Sequence, residues 1–256
     1  MYNSIHNTLI IGKKIIYLPS CHSTNDIAAE LVQKGLAEEG TVVITDNQFG
    51  GRGQRGTTWY SEPGQNLTFS LILKPNFLPI DQQFLISQTI ALAIFDFLSA
   101  YTDQVKIKWP NDIYIAGKKV SGTLIENSIQ GSAIASSVVG IGINMNQTLF
   151  ESNRTTSLAA VLGREVPLEA GLNQFSSCLD QRYSNLKSMN QHERIRAEYL
   201  SQLYGYQHSV TFNYQNEKIT GTVTGVADNG RILIRFEGKQ DVKEFGLKEI
   251  EWVWDN

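Results

Sequence analysis

The chain has 256 residues, of which 41% are apolar and 18% charged, and a formal net charge of −3. That length buries one substantial core with room for a small second unit, and the composition excludes an intrinsically disordered chain. It shows no basic excess to support general binding to nucleic acid or to an anionic membrane. The two cysteines, Cys21 and Cys178, belong to no CxxC or Cys/His cluster, so they specify neither a zinc site nor a disulfide framework. The N-terminal segment lacks a basic stretch, a long apolar run and a small-residue cleavage site, so a reduced, cytoplasmic setting is expected. The longest charge-free window, residues 127–150, is too rich in Asn, Gln, Ser and Gly for a spanning helix and reads as a buried hairpin.

In chain order, residues 8–18 read as one long strand or a strand pair. Ser23 or Thr24 can cap a helix carrying Ile27, Leu31 and Val32 on its apolar face and stopped by Gly35. A β-branched strand follows at 41–45, a glycine-rich loop at 46–61 and a strand at 67–73. Residues 81–101 predict a long helix whose apolar positions wrap most of its circumference, and it should therefore be largely buried. Short strands are expected at 105–109, 113–115, 120–126 and 133–143, with turns at Gly117 and Gly131, and helices at 156–163 and 167–204. From about Tyr206 the pattern changes to closely spaced strands at 210–214, 219–226, 231–236 and 242–245, with a hairpin turn at Asp228-Asn229-Gly230. The expected division is a mixed sheet-and-helix α+β domain at 1–205 and a small β-barrel-like domain at 206–256.

The densest chemical signal is QFGGRGQRGTTW, residues 48–59. Glycines let backbone N–H groups approach an anion, and Arg52 and Arg55 add forked donors suited to carboxylate or phosphate. Residues 51–56 fit GxGxxG formally, but the following Thr57-Thr58-Trp59 is strand-like. A Rossmann turn would open a helix there. Kinase and Walker motifs are missing as well, which leaves a cationic anion cradle. Further signals are Ser23-Thr24-Asn25 at a helix start, KWPND at 108–112, GKKVSG at 117–122 and GIGINMN at 140–146. Taken singly, they read as a helix cap, a wet hairpin tip at Lys118 and Lys119, and a bulge or close backbone packing at the glycines.

In this order and spacing, STN, QxxGRGxRG…W, KWPND, GKKVSG and GIGINMN resemble the bacterial biotin–protein ligase family. The resemblance implies a mixed sheet flanked by helices, related to class II tRNA synthetases and lipoate ligases, followed by a small SH3-like β-barrel. It implies that biotin and ATP give biotinyl-5′-AMP and pyrophosphate, and that a lysine of a biotin carboxyl carrier protein then takes the biotinyl group. By the same resemblance Ser23, Thr24, Asn25 and Gln48 line the biotin pocket, and Gly51, Arg52 and Gly53 close over the adenylate and biotin carboxylate. Lys119 stabilises charge at the carboxylate and α-phosphate, Trp59 and Asn144 lie beside adenine, and Asp112 binds Mg²⁺ or orients the carrier lysine. Some members carry arginine after GRG where this chain has Gln54, and a less tightly held intermediate is expected here unless Arg55 compensates. No Ser-His-Asp or Cys-His arrangement is required, and none is evident among His6, His22, His192 and His208.

The expected partners are the carrier domain of biotin-dependent carboxylases and, through a sheet edge, a second copy of the chain; DNA and membrane are not expected. The strand-like pattern begins within the first ten residues, so a monofunctional ligase without a DNA-binding helix-turn-helix domain is expected. The rival readings are a lipoate or octanoate ligase or transferase of the same superfamily, a non-catalytic biotin-binding regulator, and a scaffold using the C-terminal β-domain for peptide binding.

Overall fold

A computed structural model of the protein describes Tyr2 and residues 5–253, with Arg55 described in its backbone alone; residues 254–256 of the expected second domain lie outside the described residues. The chain folds in the order β1 (Ile15–Cys21), α1 (Thr24–Gln33), β2 (Thr41–Gln48), β3 (Leu67–Leu73), α2 (Phe84–Ser99), β4 (Val105–Lys108), β5 (Asp112–Ile115), β6 (Lys118–Gln130), β7 (Ala133–Ile143), α3 (Leu158–Leu162), α4 (Leu168–Leu186) and α5 (His192–Gln202). Five further strands follow: β8 (Ser209–Tyr214), β9 (Glu217–Val226), β10 (Ile232–Phe236), β11 (Val242–Phe245) and β12 (Glu251–Trp252).

Strands β1 to β7 form one mixed sheet in the order β1-β2-β3-β7-β6-β5-β4. β1 and β2 run parallel because α1 carries the chain back between them, and every other pair is antiparallel. Alternation along the strands separates two faces. In β7, Val139, Ile141 and Ile143 join the main core, as do Leu67, Phe69, Leu71 and Leu73 of β3. That face packs against α2 and α4; α2 is apolar nearly all round and largely buried, as its pattern predicts. On the opposite face Val43, Ile72 and Val138 pack under Ala28 of α1 in a smaller cluster. Further along this second face the side chains become small or polar: Thr68 and Ser70 on β3, Gly140 and Gly142 on β7, Gly122 on β6. The change from apolar to small residues leaves a hollow beside α1.

Two expectations are corrected. Residues 8–14 form turns, and the first strand begins at Ile15. The backbone donors of this segment are taken by a carboxylate: Leu9 N–H donates to Asp180 Oδ2 at 2.7 Å, and Ile10 and Ile11 N–H donate to Oδ1 at 2.7 and 2.8 Å. Second, the C-terminal strands do not close into an SH3-like barrel. They form an open, five-stranded antiparallel sheet in the order β11-β10-β9-β8-β12. Closure would need β11 to pair with β12, but those edge strands have four and two residues, and no pairing joins them among the described residues. The fold is thus α+β, with a mixed seven-stranded sheet, an open five-stranded sheet and flanking helices.

The two sheets share one buried apolar cluster, in which Phe212, Val223, Ile232 and Trp252 join Ile107, Trp109 and the α2 residues. Trp109 Nε1–H donates to Gly230 O at 2.8 Å, and its ring lies 6.2 Å from that of Trp252. Among the described residues no helix is long and apolar enough to cross a membrane.

Candidate active site

A cavity of about 420 Å³ opens on the small-residue face of the large sheet. Its floor follows from strand register. Directly paired residues of antiparallel strands point to the same face. The pairings Thr68–Gly142, Gly142–Gly122, Gly122–Asp112 and Asp112–Lys108 therefore set one transverse row across β3, β7, β6, β5 and β4. A neighbouring row runs Ser70–Gly140–Leu124. The glycines hold the floor low so that other side chains can lie over it. A Cβ at Gly140 would stand 2.4 Å from Asn25 Oδ1, and one at Gly142 would stand 2.3 Å from the Trp59 ring. The close packing read from GIGIN is what these two positions do.

One end of the cavity is a neutral polar cluster at the start of α1. Ser23 occupies the N-cap position, but its hydroxyl makes no capping hydrogen bond; both it and Thr24 line the cavity. Gln48, at the end of β2, accepts at Oε1 from the Thr24 N–H at 2.8 Å and from its hydroxyl at 3.2 Å. Ser70 Oγ lies 2.7 Å from Thr24 Oγ1 and 2.6 Å from Asn25 Oδ1. Asn25 Nδ2 in turn donates to Glu126 Oε2 at 2.7 Å. Four elements thus fix one buried network, which is rigid because its members satisfy one another.

The glycine-rich segment folds over this face as a narrow flap. Gly53 N–H donates to Thr57 O at 2.6 Å, Trp59 N–H donates to Gly51 O at 3.0 Å, and a short 3₁₀ turn at Gln54–Gly56 makes the tip. Gly50, Gly51 and Gly53 keep negative or extended φ. What they supply is the absence of a side chain, since a Cβ would lie 2.3, 2.4 and 2.4 Å from His22, Trp59 O and Thr57 Oγ1. Arg52 reaches down to Asp26 Oδ1 at 2.7 Å and lies 3.8 Å from Glu126 Oε2. The Arg52 hydrogen bond, aided by His22 and opposed by burial, holds the Asp26 carboxyl below its usual range, and Asp26 holds the guanidinium correspondingly high. Gln54 lines the cavity; the Arg55 side chain lies outside the described residues.

Lys119 owes its aim to a β-bulge. Ile113 pairs with Ser121 but Tyr114 pairs with Lys119, so Val120 is the extra residue. Val120 drops into the core, while Lys119 and Gly122 come to share the cavity face. Lys119 Nζ lies 2.7 Å from Asp112 Oδ1 and 5.9 Å from the Trp59 ring centroid. Its backbone is pinned on the other side by Lys119 N–H to Arg154 O (2.8 Å) and Thr156 N–H to Lys119 O (2.9 Å).

Ser23, Thr24, Asn25, Gln48, Arg52, Gly53, Gln54, Trp59, Asp112 and Lys119 therefore meet in one cavity. Asn144 does not line it. It lies buried just past the end of β7, where Nδ2 donates to Thr156 O at 3.0 Å and Oδ1 has no donor among the described residues. Gly51 packs behind the flap against Gln48 and Trp59. The sequence reading missed Ser70, Glu126, Lys108 and the wall formed by Leu247, Lys248, Ile250, Glu251 and Trp252. The signal for Ser70 was a polar residue on an otherwise apolar strand.

A small-molecule cavity has a neutral hydrogen-bonding end and a cationic end under a glycine flap, on a mixed sheet; this describes a class of nucleotide-dependent ligases. The chain belongs to the biotin/lipoate A/B protein ligase family, whose model matches residues 17–144. It is 30% identical over 250 residues to the bifunctional ligase/repressor BirA of Bacillus spizizenii, covering 95% of this chain and 75% of that protein. It is 37% identical over 126 residues to the biotin–[acetyl-CoA-carboxylase] ligase of Paracoccus denitrificans, covering 48% and 51% of the two chains. The solved biotin protein ligase from Aquifex aeolicus in complex with biotin and ATP superimposes with a TM-score of 0.75 at 27% identity, over 93% of this chain and 98% of that one.

Proposed function

We infer that the protein is an ATP-dependent biotin–protein ligase, activating biotin as biotinyl-5′-AMP and passing the biotinyl group to a carrier-protein lysine. The single observation that carries this reading is the union, on one sheet face, of the Thr24–Asn25–Gln48–Ser70 network with the Arg52 and Lys119 cations. In the first step the biotin carboxylate attacks the α-phosphorus of ATP, and two anions must be held together in line. The work is therefore positioning and charge neutralisation, which needs no nucleophilic side chain from the protein.

In this reading Ser23, Thr24, Asn25 and Gln48 bind the ureido end of biotin, with Ser70 and Glu126 fixing their orientation. Arg52, Gly53 and Gln54 cover the carboxylate and phosphate, and Lys119 neutralises charge at the α-phosphate. Trp59 supplies a face for adenine over Gly142. Asn144, buried beneath this position and outside the cavity, supports the floor through its bond to Thr156 O. Among the described residues no group of three His, Cys, Asp or Glu side chains could hold a cation alone. Mg²⁺ would therefore enter with the triphosphate, and Asp112 and Glu251 are the carboxylates lining the cavity. The same reading takes residues 1–205 and 206–256 as two domains, a cytoplasmic setting, and the carrier domain of biotin-dependent carboxylases as the acceptor. It also pairs two copies along an outer strand of the seven-stranded sheet, which analytical ultracentrifugation would register as a doubled mass.

The test is transfer of labelled biotin to a carrier domain with ATP and Mg²⁺, comparing wild type with Lys119→Ala and Arg52→Ala. Wild type should label the carrier and both variants should fall, by about 10²–10³ in rate for loss of a preorganised charge donor. Wild type that labels the carrier with lipoate but not biotin, or variants as active as wild type, would overturn the reading.

A further inference from the structure

The transverse row that forms the cavity floor ends at Lys108 on edge strand β4, opposite Asp112. Register therefore puts this lysine on the cavity face, and it lines the cavity. Its ammonium lies 5.7 Å from the Tyr114 ring centroid and 5.6 Å from that of Trp252. Aromatic faces hold a cation in place but leave its charge unneutralised. Two other cations of the site each have a carboxylate at 2.7 Å, Asp26 for Arg52 and Asp112 for Lys119. No described carboxylate forms an ion pair with Lys108. Beside it, the Trp252 Nε1–H is buried with no acceptor among the described residues. A positive charge on a cavity wall, drawn on by the Asp112 and Glu251 carboxylates but ion-paired to neither, is complementary to the oxygens of an anion.

We propose that Lys108, held between the Tyr114 and Trp252 rings, binds the β- and γ-phosphates of the nucleotide and receives the pyrophosphate that leaves. This rests on the ligase reading above. Strand spacing supplies the ruler. Trp59 lies over β7, Lys119 over β6, Asp112 on β5 and Lys108 on β4, at intervals of about 4.8 Å. A nucleotide with its base at Trp59 and α-phosphate at Lys119 points its remaining phosphates along the row toward Lys108. When the carboxylate oxygen bonds to the α-phosphorus, the bond from that phosphorus to the bridging oxygen breaks. Its electron pair leaves with pyrophosphate, and Lys108 neutralises the added charge. Burial lowers the Lys108 pKa against the pull of the Asp112 and Glu251 carboxylates, and an arriving polyanion adds to that pull.

Pyrophosphate takes part in the first half-reaction alone, so the two halves separate the proposal from a structural role. Lys108→Met and Lys108→Arg are compared with wild type in biotinyl-AMP formation from ATP, in inhibition by inorganic pyrophosphate, and in transfer to the carrier from supplied biotinyl-5′-AMP. Lys108→Met should lose about 10–100-fold in kcat/KM for ATP, the range for one charged hydrogen bond, and a similar factor in pyrophosphate inhibition. Transfer from supplied biotinyl-5′-AMP should stay within about twofold, and arginine should restore most of the first step. Equal losses in both halves would mean that Lys108 only supports the fold, and an unchanged first half would also overturn the proposal. If wild type itself forms no biotinyl-AMP, the ligase reading fails instead.

Discussion

The two ends of the cavity are built on opposite principles. At the α1 end, Thr24, Asn25, Gln48, Ser70 and Glu126 satisfy one another through hydrogen bonds from four elements. At the β4 end, Lys108 has aromatic neighbours but no ion-pair partner, and the Trp252 N–H is unmet. The first end is set before anything binds, which suits recognition of a neutral ring whose hydrogen-bond pattern must be matched. The second holds unspent charge, which suits an anion that must enter and then leave. On the proposed reading, specificity and turnover are lodged at different ends of one sheet face.

Substitutions can break this contrast, and the largest effect should come from between the two ends. Lys119→Ala should reduce biotinyl-AMP formation by about 10²–10³-fold in a single-turnover assay, and should also lower the melting temperature because it leaves the largely buried Asp112 carboxylate unpaired. Gly142→Ala forces a methyl group into the Trp59 ring. At about 1–3 kcal/mol for overpacking, the KM for ATP should rise several-fold to about a hundredfold with little change in that for biotin. Ser70→Ala should show the converse, raising the KM for biotin by about 5–30-fold through the loss of one buried hydrogen bond, with ATP little affected. Gln54→Arg adds a cation to the flap and should slow the escape of biotinyl-AMP by a few-fold, about 1 kcal/mol, in a filter-release assay. If Ser70→Ala and Gly142→Ala shifted both Michaelis constants alike, the two ends would not be separable.

The smallest effect expected is one of pH. Burial raises the pKa of Glu39, but hydrogen bonds from Tyr183 at 2.6 Å and Lys187 at 2.9 Å outweigh it and hold the carboxyl below its usual value. A depressed carboxylate contributes stability above its unfolded pKa and loses it as pH falls through the folded one. Glu39→Gln should therefore lower the melting temperature at neutral pH, with the gap to wild type closing in acid below about pH 4.

Much of the large sheet was legible because its strands are apolar, β-branched runs bounded by turn residues: β3 and β7 occupy the residues expected, and α2 falls within its predicted span. The N-terminal turns were not, since Leu9, Ile10 and Ile11 look like strand residues until Asp180 takes their N–H groups. The open C-terminal sheet was misread because strand spacing reports how many strands there are, and closure depends on whether the outer two reach each other. In the site, motif residues close in sequence were found. Ser70, Glu126 and Trp252 were not, because only register and the seating of the second sheet bring them to the cavity. Lys108 sits inside a recognised motif and was passed over, since nothing in KWPND says which way a β4 side chain points.

The wall at residues 247–252 also sets a time order. All other residues that line the cavity are made before it. At ~5–20 residues per second, a growing chain carries the flap and Lys119 on the order of ten seconds before Trp252 exists. During translation the cavity thus lacks one side, and on the proposed reading the ribosome-bound nascent polypeptide has no enclosure in which to keep a hydrolysable acyl phosphate.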